Sequence, residues 1–185
     1  HRVVQAVLSY GLAFAGLGVM LFLVAGTFVG NLKYVHARMM LTNLLRTNPY
    51  QAEQVCRNMQ GTFFEGIGAA LKTGAMMGTR DPAVIAQATK PAYDAAAMTA
   101  STKWNLLFGK AKLAAMAAGG GAAIPMMSGK TPVLLIILAL ITASGLGWIW
   151  LRKSEVQASI VKARAEVLPE AERAIIDGRY VVAKQ

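Results

Sequence analysis

The sequence predicts an all-α integral membrane protein with two or three transmembrane helices and a helical cytoplasmic region between the first and the last. Three observations predict it. Residues 132–151 form an uncharged apolar run of about twenty residues, the length that crosses a bilayer core of roughly 30 Å at 1.5 Å per residue. Residues 3–30 form a second uncharged apolar run. Elsewhere apolar positions recur at helical spacing and nowhere alternate for long with the period of two that a half-buried strand needs.

Composition agrees. Of 185 residues, 55% are hydrophobic and only 15% are charged, which suits a membrane protein with a modest soluble part. The net charge is +10, but Lys and Arg stand singly, without the long runs that mark a nucleic-acid arm. The excess points instead to a cytoplasmic face beside anionic lipid, and no nucleic-acid partner is expected. Cys56 is the one cysteine, so neither an internal disulfide nor a cysteine-based zinc site is available, and it reads as a small buried hydrophobe. The chain begins at His1 without Met and reads as trimmed.

The first element is the run at 3–30. A signal peptide is its rival, since Arg2 precedes it. Its apolar part exceeds the usual h-region of roughly 7–15 residues, however, and no A-x-A pattern follows, so a retained span is expected. Gly11, Gly16 and Gly18 recur in it. Small residues let helices approach closely in lipid, where hydrophobicity does not drive association, so these are candidate packing positions; the alternative is that glycine is common in such helices. The same helix is expected to continue to about residue 46, because Leu32, Val35, Met39, Met40, Leu44 and Leu45 extend an apolar stripe until Asn48-Pro49.

The cytoplasmic region is 31–112. Pro49 opens a helix to about Gln60 that Gly61 ends. Another runs from Thr62 to Met77, loosened by Gly74 and Gly78. Asp81 caps the next start, Pro91 interrupts it, and a last stretch runs from Tyr93 to Lys112. Residues 113–127, rich in Ala and Gly with Gly119, Gly120 and Gly121 in series, form either a short second span or a re-entrant segment. Gly119, Gly120 and Gly121 are further packing candidates.

At 132–151 the start carries Thr131 as N-cap and Pro132 at the first helical position. The end carries Trp148, Trp150, Arg152 and Lys153, indoles at headgroup depth followed by cations in water. The tail, 152–185, is expected to be helical, with Pro169 opening a short helix that Gly178 stops, and to pack on the cytoplasmic part of the first helix. With only two spans, the cations of the loop (Lys33, Arg38, Lys110, Lys112) and of the tail (Arg152, Lys153) would lie on opposite sides, which the positive-inside rule does not favour. A third crossing at 113–127 places both inside and leaves Ser128-Gly129-Lys130 as a tight outside turn.

Few residues carry chemistry. Ser128-Gly129-Lys130-Thr131 suggests a phosphate loop, but Ile124 stands where its first glycine belongs and no strand precedes it. His36 is a lone juxtamembrane histidine, and no His or Cys cluster has metal-ligand spacing. No nucleophile elbow is present. Neither a metal nor a cofactor is expected, and the chain does not read as an enzyme. Thr142 and Ser144 are the polar side chains inside the best span, with Thr131 at its mouth. Each hydroxyl either bonds the carbonyl four residues back on its own helix or lines a pore or partner contact. No ionisable residue lies within a candidate span, so the chain cannot itself supply the intramembrane carboxylate of a proton relay.

This layout resembles the MotA/TolQ/ExbB family of ion-channel subunits: one span, a helical cytoplasmic region, a closely spaced pair of spans and a tail. Locally, ARMMLTNLLRTNPYQAEQVCRNMQGTFFEGIGAALKTG (residues 37–74) is similar to the helices that follow the family's first span. Where the family's second span carries a Gly-Thr-Val-type signature, this chain has Ala117-Ala118-Gly119-Gly120-Gly121. The resemblance implies a homo-oligomeric ring in a bacterial inner membrane, surrounding a single-span partner that carries an intramembrane Asp and driving an energy-transducing complex. Thr142 and Ser144 would then line the pore, by position. The other reading is a non-conducting scaffold subunit of a membrane-spanning secretion or conjugation machine.

Overall fold

The computed structural model describes residues 2–28, 32–127, 129 and 132–181, with the side chain of Arg2 left aside. Every regular element among them is an α-helix. In chain order these are α1 (Arg2–Phe28), α2 (Tyr34–Thr47), α3 (Pro49–Asn58), α4 (Phe63–Met76), α5 (Pro82–Met126), α6 (Val133–Glu166) and α7 (Leu168–Ile176). Among the described residues, α1 and α6 carry apolar runs long enough to cross a membrane.

The chain divides into two compact units. The first comprises His1–Asn31 and Asn105–Ser154, the second Leu32–Trp104 and Glu155–Gln185.

Local chemistry sets most helix ends in the second unit. Asn48 caps α3, its side chain accepting from the Gln51 amide at 3.3 Å, with Pro49 in the first turn. Thr62 caps α4 through the Phe64 amide, while the Glu65 carboxylate accepts from the Gly61 amide at 2.8 Å. Asp81 accepts from the Ala83 amide at 2.9 Å at the start of α5. Gly61, Gly78 and Gly178 take positive φ at the chain reversals after α3, α4 and α7, where a side chain would be strained.

Four expectations are corrected. The first helix does not run on to residue 46: α1 ends at Phe28, Leu32 and Lys33 are non-helical, and Lys33 is extended (φ −60°, ψ 135°) ahead of α2. Residues 29–31 lie outside the described residues. Pro91 does not interrupt α5, and 113–127 is not a separate short segment. One helix of 45 residues passes through both positions. Pro91 lies on an exposed face between two buried anchors. Thr89 donates to Glu172 at 2.6 Å and Tyr93 donates to the Ile160 carbonyl at 2.7 Å, so packing on both sides holds the helix through the missing amide. The tail likewise starts no new element at 152, because α6 continues unbroken to Glu166.

The second unit has a core of large side chains. Leu41, Leu45, Phe63, Phe64, Ile67, Leu71, Ile85, Tyr93, Val167, Leu168 and Ile175 are all buried in it. Tail residues do pack on α2. Glu166 accepts from Arg38 and from the Tyr34 hydroxyl, Glu170 accepts from Arg46 through two bonds at 2.8 and 3.1 Å, and Arg179 donates to the carbonyls of Leu45 and Arg46. Across α5 and α6, Arg164 grips Asp94 with two bonds at 2.7 and 2.8 Å.

Candidate functional site

The first unit holds nearly every residue that the sequence singles out, and its geometry follows from one periodicity. In α1 the buried positions are Ser9, Ala13, Gly16, Met20, Leu23 and Thr27. In the 133–154 part of α6 they are Leu135, Leu138, Thr142 and Ile149, with Gly145 half-buried among them. In the 105–126 part of α5 they are Ala111, Ala114, Ala118, Gly121 and Ala122. These are three- and four-residue steps, which keep one seam of a helix against its neighbours.

Contacts along the seams give the directions. A Cβ placed on Gly16 would lie 2.5 Å from the Ala114 carbonyl oxygen and 2.9 Å from the Ala118 nitrogen. One placed on Gly121 would lie 2.5 Å from the Ser9 carbonyl oxygen and 3.0 Å from the Ala13 nitrogen. Since 9–16 ascends as 121–114 descends, α1 and this part of α5 are antiparallel, with backbones in close approach. Leu135 and Leu138 cluster with Ala13 and Leu17, Gly145 meets Met20 and Val24, and Trp148 meets Thr27 and Phe28. The first part of α6 therefore runs parallel to α1. Three helices, each reversed by the next, make up the unit.

The candidate packing glycines separate cleanly. Gly16 and Gly121 are close-approach positions. Gly11, Gly18, Gly119 and Gly120 are exposed, and a Cβ on any of them would meet nothing within 4 Å. Gly145 makes a close approach that was not singled out: a Cβ there would sit 2.5 Å from Met20 Cγ. Its place in the seam of Leu138, Thr142 and Ile149 is the sequence signal that reveals it.

The hydroxyls also separate. Thr142 is fully buried, and its hydroxyl donates to the Leu138 carbonyl at 2.8 Å. Ser144 is exposed and donates to the Leu140 carbonyl at 2.9 Å. Both therefore bond their own helix four residues back. Thr142 lies in the seam that packs against α1 and α5 within the unit, whereas Ser144 lies off it. Thr131, the third candidate, lies outside the described residues, as do Ser128 and Lys130 of the expected turn. Gly129 has a positive φ of 71°, as a tight turn needs.

One end of the unit gathers aromatic rings and cations. The Trp148 indole N–H donates to Thr27 Oγ1 at 3.0 Å, and its ring stacks on Phe28 at 5.5 Å. Its N–H is thus spent on holding α6 to α1, while Trp150 is the more exposed of the two indoles. Arg152 lies 5.2 Å from the Trp148 ring centroid. Lys112 and Lys153, from two different helices, lie 4.9 and 5.0 Å from the centroid of Phe108. The residue ranges 1–31 and 105–154 contain no Asp or Glu.

The second unit offers less. A groove of about 530 Å³ is lined by Met39, Thr42 and Asn43 between the pairs Arg38–Glu166 and Arg46–Glu170. Hydrogen bonds from the arginines hold both carboxyls below the usual glutamate range, so the charges of the groove neutralise one another. Cys56 is buried, and burial pushes its thiol up to about 12, which leaves it an unreactive thiol. Among the described residues no three His, Cys, Asp or Glu side chains come together as a metal site. Set beside known proteins, the chain matches no protein family, no curated sequence and no solved structure.

Proposed function

We propose that this chain is a structural subunit of an oligomeric membrane complex. In this reading the first unit crosses the bilayer three times, and residues 32–104 and 155–181 lie on the cytoplasmic side. The observation that carries it is the antiparallel placement of 105–126 against α1. With that direction, Lys110, Lys112, Arg152 and Lys153 all fall at one end of the unit, as the positive-inside rule requires of a single cytoplasmic face. Outward-facing Val7, Phe14, Phe22, Leu134, Ile137 and Leu140 suit lipid contact. Gly11, Gly18, Gly119 and Gly120 leave flat strips on that surface, to which helices of another copy or of a partner can approach closely.

Sidedness tests this directly. In a Cys56→Ala background, Met127→Cys and Met98→Cys place single thiols at two exposed sites. A membrane-impermeant maleimide on intact cells is expected to label the first and not the second. Labelling both, or neither, removes the third crossing.

Within this reading we favour a non-conducting scaffold. The apolar spans contain no ionisable group, and the buried hydroxyl of Thr142 is satisfied by its own helix. A second reading keeps the ion-driven ring around a single-span partner. The exposure of Ser144 on the outer side of α6 favours it, since that hydroxyl can face an axis built from several copies. Proton flux into vesicles holding the purified complex separates the two. A flux that Ser144→Val abolishes supports the ring, and a tight vesicle supports the scaffold.

A further inference from the structure

We propose that Lys112 and Lys153, each set about 5 Å from the ring centroid of Phe108, form a binding site for the phosphate of an anionic phospholipid. The proposal rests on the reading of the first unit as membrane-embedded and adds to it a particular ligand at a particular place. Both ammonium groups lie within about 5 Å of one ring centroid, so they are no more than about 10 Å apart. They come from different helices, α5 and α6, and the packing of Leu107 and Phe108 beside Ile149 holds those helices in register. Neither lysine, nor Lys110 beside them, has an ion pair among the described residues. The unit has no carboxylate of its own to supply one.

Two like charges within about 10 Å of one another repel, and the ring quadrupole offsets only part of that. An anion with several acceptor oxygens beside them is attracted by both ammoniums and offsets the repulsion. A phosphodiester has this shape and charge. The surroundings favour a lipid over free phosphate. Exposed Met116 lies one turn along α5 from Lys112, with exposed Leu113 beside it, so apolar surface begins where that cation ends. Trp150, exposed on the same end, marks headgroup depth. An acyl chain covers the apolar strip while its phosphate meets the two lysines.

The test uses the intrinsic tryptophan fluorescence of the full chain in vesicles of phosphatidylcholine and phosphatidylglycerol, with bromine on the acyl chains of one lipid or the other. Brominated phosphatidylglycerol is expected to quench several-fold more, at equal mole fraction, than brominated phosphatidylcholine. Each lysine contributes up to about fivefold of preference. The preference is expected to vanish in K112Q/K153Q, to survive in K112R/K153R, and to be unchanged in K72Q/K90Q, which removes two exposed cations of the second unit. Equal quenching by the two lipids in the unmodified protein overturns the site, as does a preference that K112Q/K153Q retains. Loss of preference in K72Q/K90Q shows diffuse attraction and overturns it as well. Loss on adding millimolar inorganic phosphate assigns the lysines to free phosphate and overturns the lipid. Absence of quenching by either lipid is a different failure, since it removes the membrane reading itself.

Discussion

The two units of this chain are held together by different means. In the second unit, helices meet through Phe, Leu, Ile and Tyr side chains, and polar bonds cross between elements: Arg38 to Glu166, Arg46 to Glu170, Arg164 to Asp94, Thr89 to Glu172 and Tyr93 to Ile160. In the first unit, Gly16 and Gly121 bring backbones into contact, and the hydroxyls of Ser9, Thr27, Thr142 and Ser144 donate to carbonyls of their own helices. In the proposed membrane reading, water accounts for the difference. Large apolar side chains gain by leaving water, so the second unit needs bulk in its core. In lipid that gain is absent, and helices associate by close van der Waals packing, which small residues permit. A helix built for each regime is recognised by what it buries: α4 buries two phenylalanines, an isoleucine and a leucine, whereas the end of α5 buries alanines and a glycine.

The largest test of this contrast is a pair of matched substitutions with opposite signs. Gly16→Ala or Gly121→Ala forces a Cβ onto a facing backbone, which cannot yield as a flexible side chain can. Each should cost about 2–3 kcal/mol, the upper part of the range for overpacking. Gly18→Ala adds a methyl in open space and should gain up to about 1 kcal/mol from helix propensity. Denaturation of the detergent-solubilised protein reads both. A loss at Gly18 equal to that at Gly16 would erase the distinction between inner and outer glycines.

Acid should separate the units next. Asp94, Glu166 and Glu170 are each held below the ordinary carboxylate range, first of all by hydrogen bonds from Arg164, Arg38 and Arg46 respectively. A carboxyl depressed in the folded state stabilises fully above its unfolded value, near pH 4, and that stabilisation is lost as pH falls through the folded value. The partner arginines stay protonated throughout. Amide exchange, corrected for intrinsic rate, should therefore show protection falling below about pH 4 in 32–104 and 155–181. The first unit has no carboxylate and should hold its protection over the same window. Parallel loss in both would break the comparison.

Smaller effects test the polar contacts of the first unit. Trp148→Phe keeps an aromatic ring against Phe28 but removes the donor to Thr27, and should cost about 1 kcal/mol. The same substitution combined with Thr27→Val should cost little more than either change alone if the two groups act as a pair. Smallest of all is Thr142→Val. It removes a hydroxyl that bonds only its own helix and should shift stability by less than about 0.5 kcal/mol while leaving assembly intact. A large loss of activity there would return Thr142 to the ring reading.

Local chemistry made much of the fold legible. Asn48-Pro49, Gly61, Thr62, Gly78, Asp81 and Gly178 mark helix boundaries because caps and left-handed turns depend on a few neighbouring residues. The uncharged runs in α1 and α6 are legible for the same reason, since apolar length needs no partner to be read. Pro91 misled, because the helix survives it through Thr89–Glu172 and Tyr93–Ile160, contacts with residues far along the chain. The stripe from Leu32 to Leu45 misled in another way. Its period is helical on both sides of a break, and period alone does not reveal that Leu32 and Lys33 are non-helical.

The sequence by itself determined that the chain is helical, where most helices stop, and which segments are apolar enough for a membrane. These follow from propensity, capping and composition, which act over a few residues. Only the tertiary structure decided which glycines are contacts and which are surface, that 105–126 runs against α1, that Thr142 faces inward while Ser144 faces out, and that Lys112 and Lys153 share one ring. Each of these depends on the rotation of one helix against another, and that rotation is set by the fit of seams such as Ser9–Ala13–Gly16 and Ala114–Ala118–Gly121, which lie far apart in sequence.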